Sequence, residues 1–353
     1  MKLLFGNQLQ ALHFEGTVAT IGNFDGVHLG HQALLSQLVA FAHQKQLPST
    51  VVLFEPQPGE FFMPKNAPAR LTTLREKLAL MKQSRIDYVH CLRFSQSLAV
   101  MSAERFAQQL FTHLNVKLLL VGHDFRFGKD RKGDLDLLVQ LGAQYGCQVM
   151  GFSDFLLDIY SQQSRFRQGA SERVEGVYTQ YMTDDERDCN TAENASAKSI
   201  HRVSSTLIRK RLAEGNLTEA SQLLGRLFSL QGRVVYGKGL GRQWGIPTAN
   251  LRLLRKVSPV QGIFCVQVKR ASGTVLQGVA SLGSRPTVGG IETLLEVHVL
   301  NFSDNLYGER VEVLFLKRLR DEVLFASVDA LIAQIHEDIA HAQQYFGRSD
   351  AIA

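Results

Sequence analysis

Two hydrophobic patterns alternate through the first half of the chain. Short, nearly continuous apolar runs occupy residues 18–22, 51–54, 88–92, 117–121 and 148–152, as strands covered on both faces do. Between them, apolar residues recur every three or four positions. Leu34, Leu38, Phe41 and Ala42 share one helical face before Pro48 forbids continuation. Thr73 and Glu76 form a candidate capping box for a helix that turns Leu74, Leu78 and Met81 inward. Phe106, Leu110 and Leu114 define a helix starting near Ser102, and residues 134–145 another. Strands separated by helices in this way predict right-handed βαβ units and one parallel sheet. Ligands of such sheets bind beyond the carboxyl ends of the strands. Three unusual segments, 23–31, 55–62 and 123–134, directly follow predicted strands, so the topology predicts that they meet at one rim. In the second of them, Pro56 and Pro58 predict an extended exit from the strand.

From residue 160 to 202 the pattern dissolves into polar and charged residues, which reads as a mobile insertion. Order is expected again at V-S-S-T-L-I-R-K-R-L, where Ser204 or Ser205 caps a helix burying Ile208 and Leu212. A further short helix runs from Asn216 to Gly225. After Arg226 the pattern changes: β-prone runs at 232–236, 263–269, 275–280, 294–300 and 311–316 are divided by glycine-rich turns. Closely spaced strands without crossover helices predict an antiparallel sheet or small barrel. A last helix over 327–346 places Leu331, Ile335, Ile339 and Phe346 on one stripe, suited to lying on that barrel. The fold expected is α/β, with a Rossmann-like parallel-sheet domain over 1–225 and a small antiparallel β-barrel with a carboxyl-terminal helix over 226–353.

Composition adds bounds. The 353 residues exceed one ordinary core. No run of about 18 apolar residues is present to span a membrane, and residues 1–5 are too short for a signal-peptide core, so a cytoplasmic location is expected. Cys91, Cys147, Cys189 and Cys265 are scattered without a C-x-x-C pair, against a zinc site or disulfide framework. A net charge of +6 suits an anionic substrate, and equally a mild nucleic-acid affinity or simple solubility.

Candidate chemistry concentrates in four places. T-V-A-T-I-G-N-F-D-G-V-H-L-G-H, residues 17–31, passes from strand to helix, where unpaired N–H groups and the helix dipole favour phosphate. Gly22, Gly26 and Gly30 permit close approach, Asn23 and Asp25 lie in the turn, and His28 and His31 are placed to meet an anion; two capping histidines are the plainer alternative. Asp124, Arg126 and Arg131 are phosphate candidates or a solvated loop. In G-K-G-L-G-R-Q-W-G-I-P-T-A-N, the backbone around Gly237, Gly239 and Gly241 with Lys238 or Arg242 suits phosphate, while Thr248 and Asn250 offer oxygen to a hard cation. Lacking P-loop spacing, that stretch also reads as a hairpin with surface charges. In L-L-E-V-H-V-L, strand alternation puts Glu296 and His298 opposite Leu295, Val297 and Val299. Glu296 is a candidate general base or a solvated carboxylate.

Taken together, T-I-G-N-F-D-G-V-H-L-G-H-Q, F-E-P-Q-P, V-G-H-D-F-R-F-G, V-S-S-T-L-I-R, G-K-G-L-G-R-Q-W-G-I-P-T-A-N-L, G-S-R-P-T-V-G-G and L-E-V-H-V-L resemble the prokaryotic bifunctional riboflavin kinase/FAD synthetase family. The resemblance covers nearly the whole chain outside 160–202. It implies that the second domain phosphorylates riboflavin with ATP, and that the first, of nucleotidyltransferase type, adenylylates FMN to FAD with release of pyrophosphate, both with Mg2+. By motif, Glu296 would take the ribityl proton, Thr248 and Asn250 would hold magnesium and ATP phosphates, and the loop from Gly237 to Arg242 would cover the nucleotide. His28 and His31 would act on the ATP phosphates of the first domain with Asn23, Asp25, Ser204, Ser205, Thr206 and Arg209; Asn23, Asp124 and Arg126 would contact nucleotide or flavin. Ser281 and Asn301 depart from the Asn and Asp common in the family. Small-molecule partners are implied, with neither nucleic acid nor membrane, and a homo-oligomer is compatible. Another nucleotidyltransferase carrying H-x-G-H would explain the first half only, an RNA-binding protein would want a patterned aromatic platform, and a non-catalytic flavin sensor has no use for both Glu296 and the paired histidines.

Overall fold

The computed structural model describes residues 1–6, 9, 15–158, 200–237, 239–253, 255, 257–287 and 290–350. Its first half is one six-stranded parallel sheet. Strands β1 (Lys2–Gly6), β2 (Thr17–Ile21), β3 (Ser49–Glu55), β4 (Tyr88–Arg93), β5 (Val116–Gly122) and β6 (Gln148–Phe152) lie in the order β1-β4-β3-β2-β5-β6. Every residue of β2 is buried, as an apolar run in a central strand requires. The predicted strands β2 to β6 are all present. The edge strand β1 is an addition: its Leu3 and Phe5 are 43% and 54% exposed, so an edge position spares K-L-L-F-G the burial that marks the other strands.

Helices α1 (Leu29–Lys45), α2 (Pro58–Phe62), α3 (Leu74–Gln83), α4 (Gln96–Ala99), α5 (Ala103–His113) and α6 (Leu135–Gln144) join these strands. Their ends follow capping chemistry. Thr73 and Glu76 form the expected box at α3, and Ser102 and Asp134 accept the amides of Arg105 and Leu137. Residues 58–62 are helical, not extended. Pro58 sits at the first helical position, where its missing N–H costs nothing. On α3, Glu76 and Lys77 are more deeply buried than the expected inward residues Leu74 and Leu78.

The stretch expected to be a mobile insertion ends in structure. Strand β8 (Ile200–Arg202) pairs antiparallel with β7 (Leu156–Asp158); three residues are too few to display alternation, and the partner supplies the ladder. Residues 160–199 and Cys189 lie outside the described residues, whereas Cys91, Cys147 and Cys265 are buried free thiols.

Helices α7 (Ser205–Ala213) and α8 (Leu217–Leu224) follow, capped by Ser204, Asn216 and Gly225. The second half is a closed antiparallel barrel of β9 (Ser229–Val235), β10 (Ala249–Arg252), β11 (Gly262–Lys269), β12 (Val275–Thr287), β13 (Gly290–Val299) and β14 (Arg310–Arg320), in the order β10-β13-β12-β11-β14-β9. The one-turn helix α9 (Leu240–Gln243) lies between β9 and β10. The mixed residues of β10, A-N-L-R, gave no apolar run to read. The barrel core, with Phe264 and Phe315 fully buried, is continuous with Ile208, Leu212, Leu223 and Leu224. Helices α7 and α8, grouped by sequence with the first half, thus share an apolar core with the second. Helix α10 (Val328–Asp350) lies on the barrel, and its stripe divides: Ala342 and Phe346 pack on Ile263, Cys265 and Val279, while Leu331 and Ile335 line a cavity.

Helix α1 holds its amino terminus against the sheet through Leu35 and Leu38, both fully buried. Replacing Leu35 by Ala should destabilise the protein by about 2–5 kcal/mol, measurable by equilibrium urea denaturation.

Candidate active sites

The sheet changes winding direction between β2 and β5, and a crevice opens there at the carboxyl ends of the strands. A cavity of about 270 Å³ occupies it, lined by Gly22, His28, Gly30, His31, Asp124, Arg202, Ser204 and Ser205 among others. Elements far apart in sequence therefore converge as expected. His28 is the N-cap of α1: its Nδ1 accepts the amide of His31 at 3.3 Å. Its ring stacks on that of His31 with centroids 3.6 Å apart. Capping and a place on the crevice wall thus coexist in His28, since the cap uses only Nδ1.

The other predicted residues divide. Ser204 caps α7, and Ser205 donates to the carbonyl of Asp25 at 2.8 Å. Asp124 pairs with Arg202, which also reaches Asp154 at 2.9 Å. Asn23 is exposed, while its carbonyl accepts from Lys77 Nζ. Thr206 and Arg126 are exposed and do not line the crevice. Asp25 and Arg209 bond each other beneath the turn instead of facing the cavity. The Asp25 carboxylate, 3% exposed, also accepts the amides of Leu71 and Thr72 at 3.1 and 3.0 Å.

Electrostatics follow from this burial. Desolvation alone would raise the Asp25 carboxyl, but Arg209, Lys77 and the two amides hold it below its ordinary value. Burial lowers His28 to about 3, opposed by Asp25 and reinforced by Arg226, Arg209 and Arg202. His31 is driven well below its ordinary value by burial, then by His28 and Lys77. Both rings are neutral near pH 7.

The second site lies on the barrel. Alternation along β13 holds: Leu295, Val297 and Val299 enter the core, and Glu296 and His298 face a cavity of about 670 Å³. In register, Glu296 stands opposite Asn250 of β10 on one side and Ser281 of β12 on the other. Thr248 precedes Asn250 by two residues and lines the same cavity. His298 Nδ1 lies 2.8 Å from the Pro247 carbonyl, tying this loop to β13. Trp244, Ile246, Ile263, Val279, Leu331 and Ile335 supply apolar walls. A second cavity of about 510 Å³ shares Thr248 and adds Arg242 and Tyr307. A Cβ at Gly237 would lie 2.4 Å from Asn250 Nδ2, so a larger residue there would displace the Asn250 side chain. Gly239 and Gly241 line the larger cavity; Lys238 lies outside the described residues. Asn301, one of the two departures from the family pattern, takes φ 51°, which Asn tolerates better than most residues.

Three features escaped the sequence reading. Lys77 is 1% exposed; lying three residues after Leu74, it was a charge on the apolar face of α3. Arg226 donates to the carbonyls of Gly26 and Val27 at 2.6 and 3.2 Å, a contact with no local signal. Phe54, Phe61, Phe62 and Phe94 form an edge-to-face cluster at the carboxyl ends of β3 and β4, with Phe62 61% exposed.

Comparison with known proteins assigns both halves. The family described as FAD synthetase matches residues 11–164, and riboflavin kinase matches 224–346. The bifunctional riboflavin kinase/FMN adenylyltransferase of Escherichia coli (strain K12) is 44% identical over 349 residues, 98% of each chain. The chain belongs to this bifunctional family. Its riboflavin kinase activity yields FMN and its FMN adenylyltransferase activity yields FAD. Bifunctional riboflavin kinase/FMN adenylyltransferases of Haemophilus influenzae and Pseudomonas fluorescens are 39% and 40% identical, covering 98% and 97% of this chain and 99% and 97% of their own. A crystal structure of a macrolide-efflux protein from Streptococcus pneumoniae superposes with a TM-score of 0.71 at 27% identity, over 97% of this chain and 98% of that one. Among the described residues, no helix is long and apolar enough to cross a membrane.

The lowered His28 value gives a pH dependence with a definite sign. Between about 3 and 6.5 the unfolded chain binds a proton that folded His28 refuses, so stability is complete above 6.5 and falls as pH descends through that window. Asn retains a cap acceptor without this titration. A His28→Asn protein should therefore gain thermal stability relative to the parent on acidification; a difference between the two melting temperatures that ignores pH would contradict the assignment.

Proposed function

We propose that residues 226–353 carry the kinase step at Glu296 and residues 1–225 the adenylyl transfer at the 23–31 turn. The convergence of Glu296, Asn250, Ser281 and Thr248 on one barrel cavity carries the first assignment. The largely apolar cavity suits the flavin ring, and the neighbouring cavity that shares Thr248 suits the nucleotide. Glu296 accepts the proton of the ribityl hydroxyl as its oxygen bonds the γ-phosphorus of ATP and the bond to the departing ADP breaks. The loop from Gly237 to Arg242 closes over the phosphates.

Thr248 and Asn250 fit a magnesium ion, which takes oxygen ligands and keeps several from phosphate and water. Among the described residues no cluster of three acidic, histidine or cysteine side chains offers an all-protein cage. Two neutral oxygens beside a nucleotide suit a cation that arrives with it. Bound there, magnesium would neutralise phosphate charge.

In the first domain the FMN phosphate oxygen bonds the α-phosphorus of ATP, and the bond to pyrophosphate breaks. No protein nucleophile is required. The domain's task is to position two anions and to stabilise the charge that develops between them. His28 Nε2–H, the amino terminus of α1, Ser204, Ser205 and Arg202 surround the crevice for that purpose. Asp25 and Arg209 support the turn from below, and Asp124 acts through its pairing with Arg202. The aromatic cluster at Phe61, Phe62 and Phe94 offers faces for the flavin ring. Buried free thiols and the use of ATP fit the cytoplasm.

Chromatographic separation of flavins tests the division. Replacing both His28 and His31 by Ala should leave FMN formation from riboflavin intact and abolish FAD. Glu296→Ala should block FMN formation and still convert supplied FMN to FAD. Loss of FMN formation in the folded histidine variant, or failure of the folded Glu296 variant to convert supplied FMN to FAD, would refute the assignment.

A further inference from the structure

Residues 70–77 are one meeting point of the two halves. They run from the end of the loop that follows the aromatic cluster into the first turn of α3. On one side they hold the 23–31 turn: Leu71 and Thr72 donate their amides to Asp25 at 3.1 and 3.0 Å. The amide of Gly26 donates to Thr72 Oγ1 at 2.9 Å, and Lys77 Nζ donates to the Asn23 carbonyl. That turn needs holding. Phe24, Gly26 and Val27 take φ of 47°, 85° and 39°, and two of the three carry a Cβ that disfavours such angles.

On the other side the same residues are gripped by the barrel. Arg255, whose side chain is 1% exposed, spreads its guanidinium over this segment. Its Nη2 donates to both oxygens of Glu76, at 3.1 and 2.8 Å, and its Nη1 to the Arg70 carbonyl at 3.0 Å. Glu76 is fully engaged. One oxygen also accepts the β9 amide of Gln231 at 2.9 Å, and the other accepts the amide and hydroxyl of Thr73 at 2.6 and 2.9 Å. A planar fork is needed to meet the carboxylate and the carbonyl at once. Arg255 stands three residues beyond β10, the strand that carries Asn250.

We infer that Arg255 is a positioning residue for adenylyl transfer, supplied to the first domain by the kinase barrel. Acting through Glu76 and the Arg70 carbonyl, it fixes the segment from which Asp25, Gly26 and Asn23 are held, and so the place of His28 and His31 at the crevice. It touches no substrate. The inference rests on the assignment of adenylyl transfer to the 23–31 turn.

The test uses the full chain with Arg255→Lys, which keeps the charge and loses the fork, and Glu76→Gln, which keeps a cap acceptor and loses the charge. FMN formation from riboflavin and FAD formation from supplied FMN are measured separately, together with thermal unfolding. For Arg255→Lys, kcat for FAD formation should fall roughly 10- to 100-fold, as when reacting groups are displaced by up to an ångström, while kcat for FMN formation stays within about twofold. Glu76→Gln should show the same selective loss and serves if the arginine variant fails to fold. Equal loss of both activities would make the pair merely structural, and unchanged FAD formation in a folded variant would deny it any role; either result overturns the inference. The His28→Ala, His31→Ala protein run in parallel separates the two levels. FAD formation persisting there defeats the site assignment itself, whereas its loss there beside normal activity in Arg255→Lys defeats only the role of Arg255.

Discussion

A carboxylate shut beneath a strained turn is the interaction on which the sheet-rim site depends. Asp25 is surrounded by two backbone amides, the hydroxyl of Thr72 and the guanidinium of Arg209. Taking a charge out of water is costly unless it is paired and fully hydrogen-bonded, and here the donors come from two stretches of chain far from it in sequence, residues 71–72 and Arg209. The turn can keep its unfavourable backbone angles only because those donors converge. Asp25 therefore stabilises the shape that presents His28 and the first turn of α1, without reaching the crevice.

The two catalytic assignments use opposite kinds of scaffold. At the sheet rim, the crevice is built from loops at the strand ends and lined by two histidines that burial keeps neutral. On the barrel, Glu296, Asn250 and Ser281 are set side by side by strand register. Cross-strand neighbours approach to about 5 Å, which brings Asn250 and Ser281 to Glu296 without any loop having to fold over them. Gly237, at the β9 end of the loop that precedes β10, leaves room for the Asn250 side chain.

The halves are also less separate than two matched families suggest. Helices α7 and α8 bring Ser204 and Ser205 to the first site while burying Ile208, Leu212 and Leu223 in a core continuous with the barrel. Arg226 and Arg255, both on the barrel side of residue 225, bond the backbone or carboxylates of the first half. Packing and buried charge thus cross the boundary together.

Much of this was legible along the chain. Continuous apolar runs identified the central strands, period-two alternation put Glu296 and its apolar neighbours on opposite faces, and capping residues marked the starts of α3 and α7. These are local properties, set by backbone geometry and by which face must leave water. The motifs were equally local, and they carried the family. Edge strand β1, the three-residue β8 and the polar β10 were not legible, because their ladders are completed by partners elsewhere. The burial of Lys77, the withdrawal of Asp25 and Arg209 from the crevice and the grip of Arg255 on Glu76 belong to the tertiary structure alone. A charged residue looks the same in sequence whether solvent or an opposite charge surrounds it. Only the folded chain brings the partner that makes burial affordable, and with it the geometry of the site.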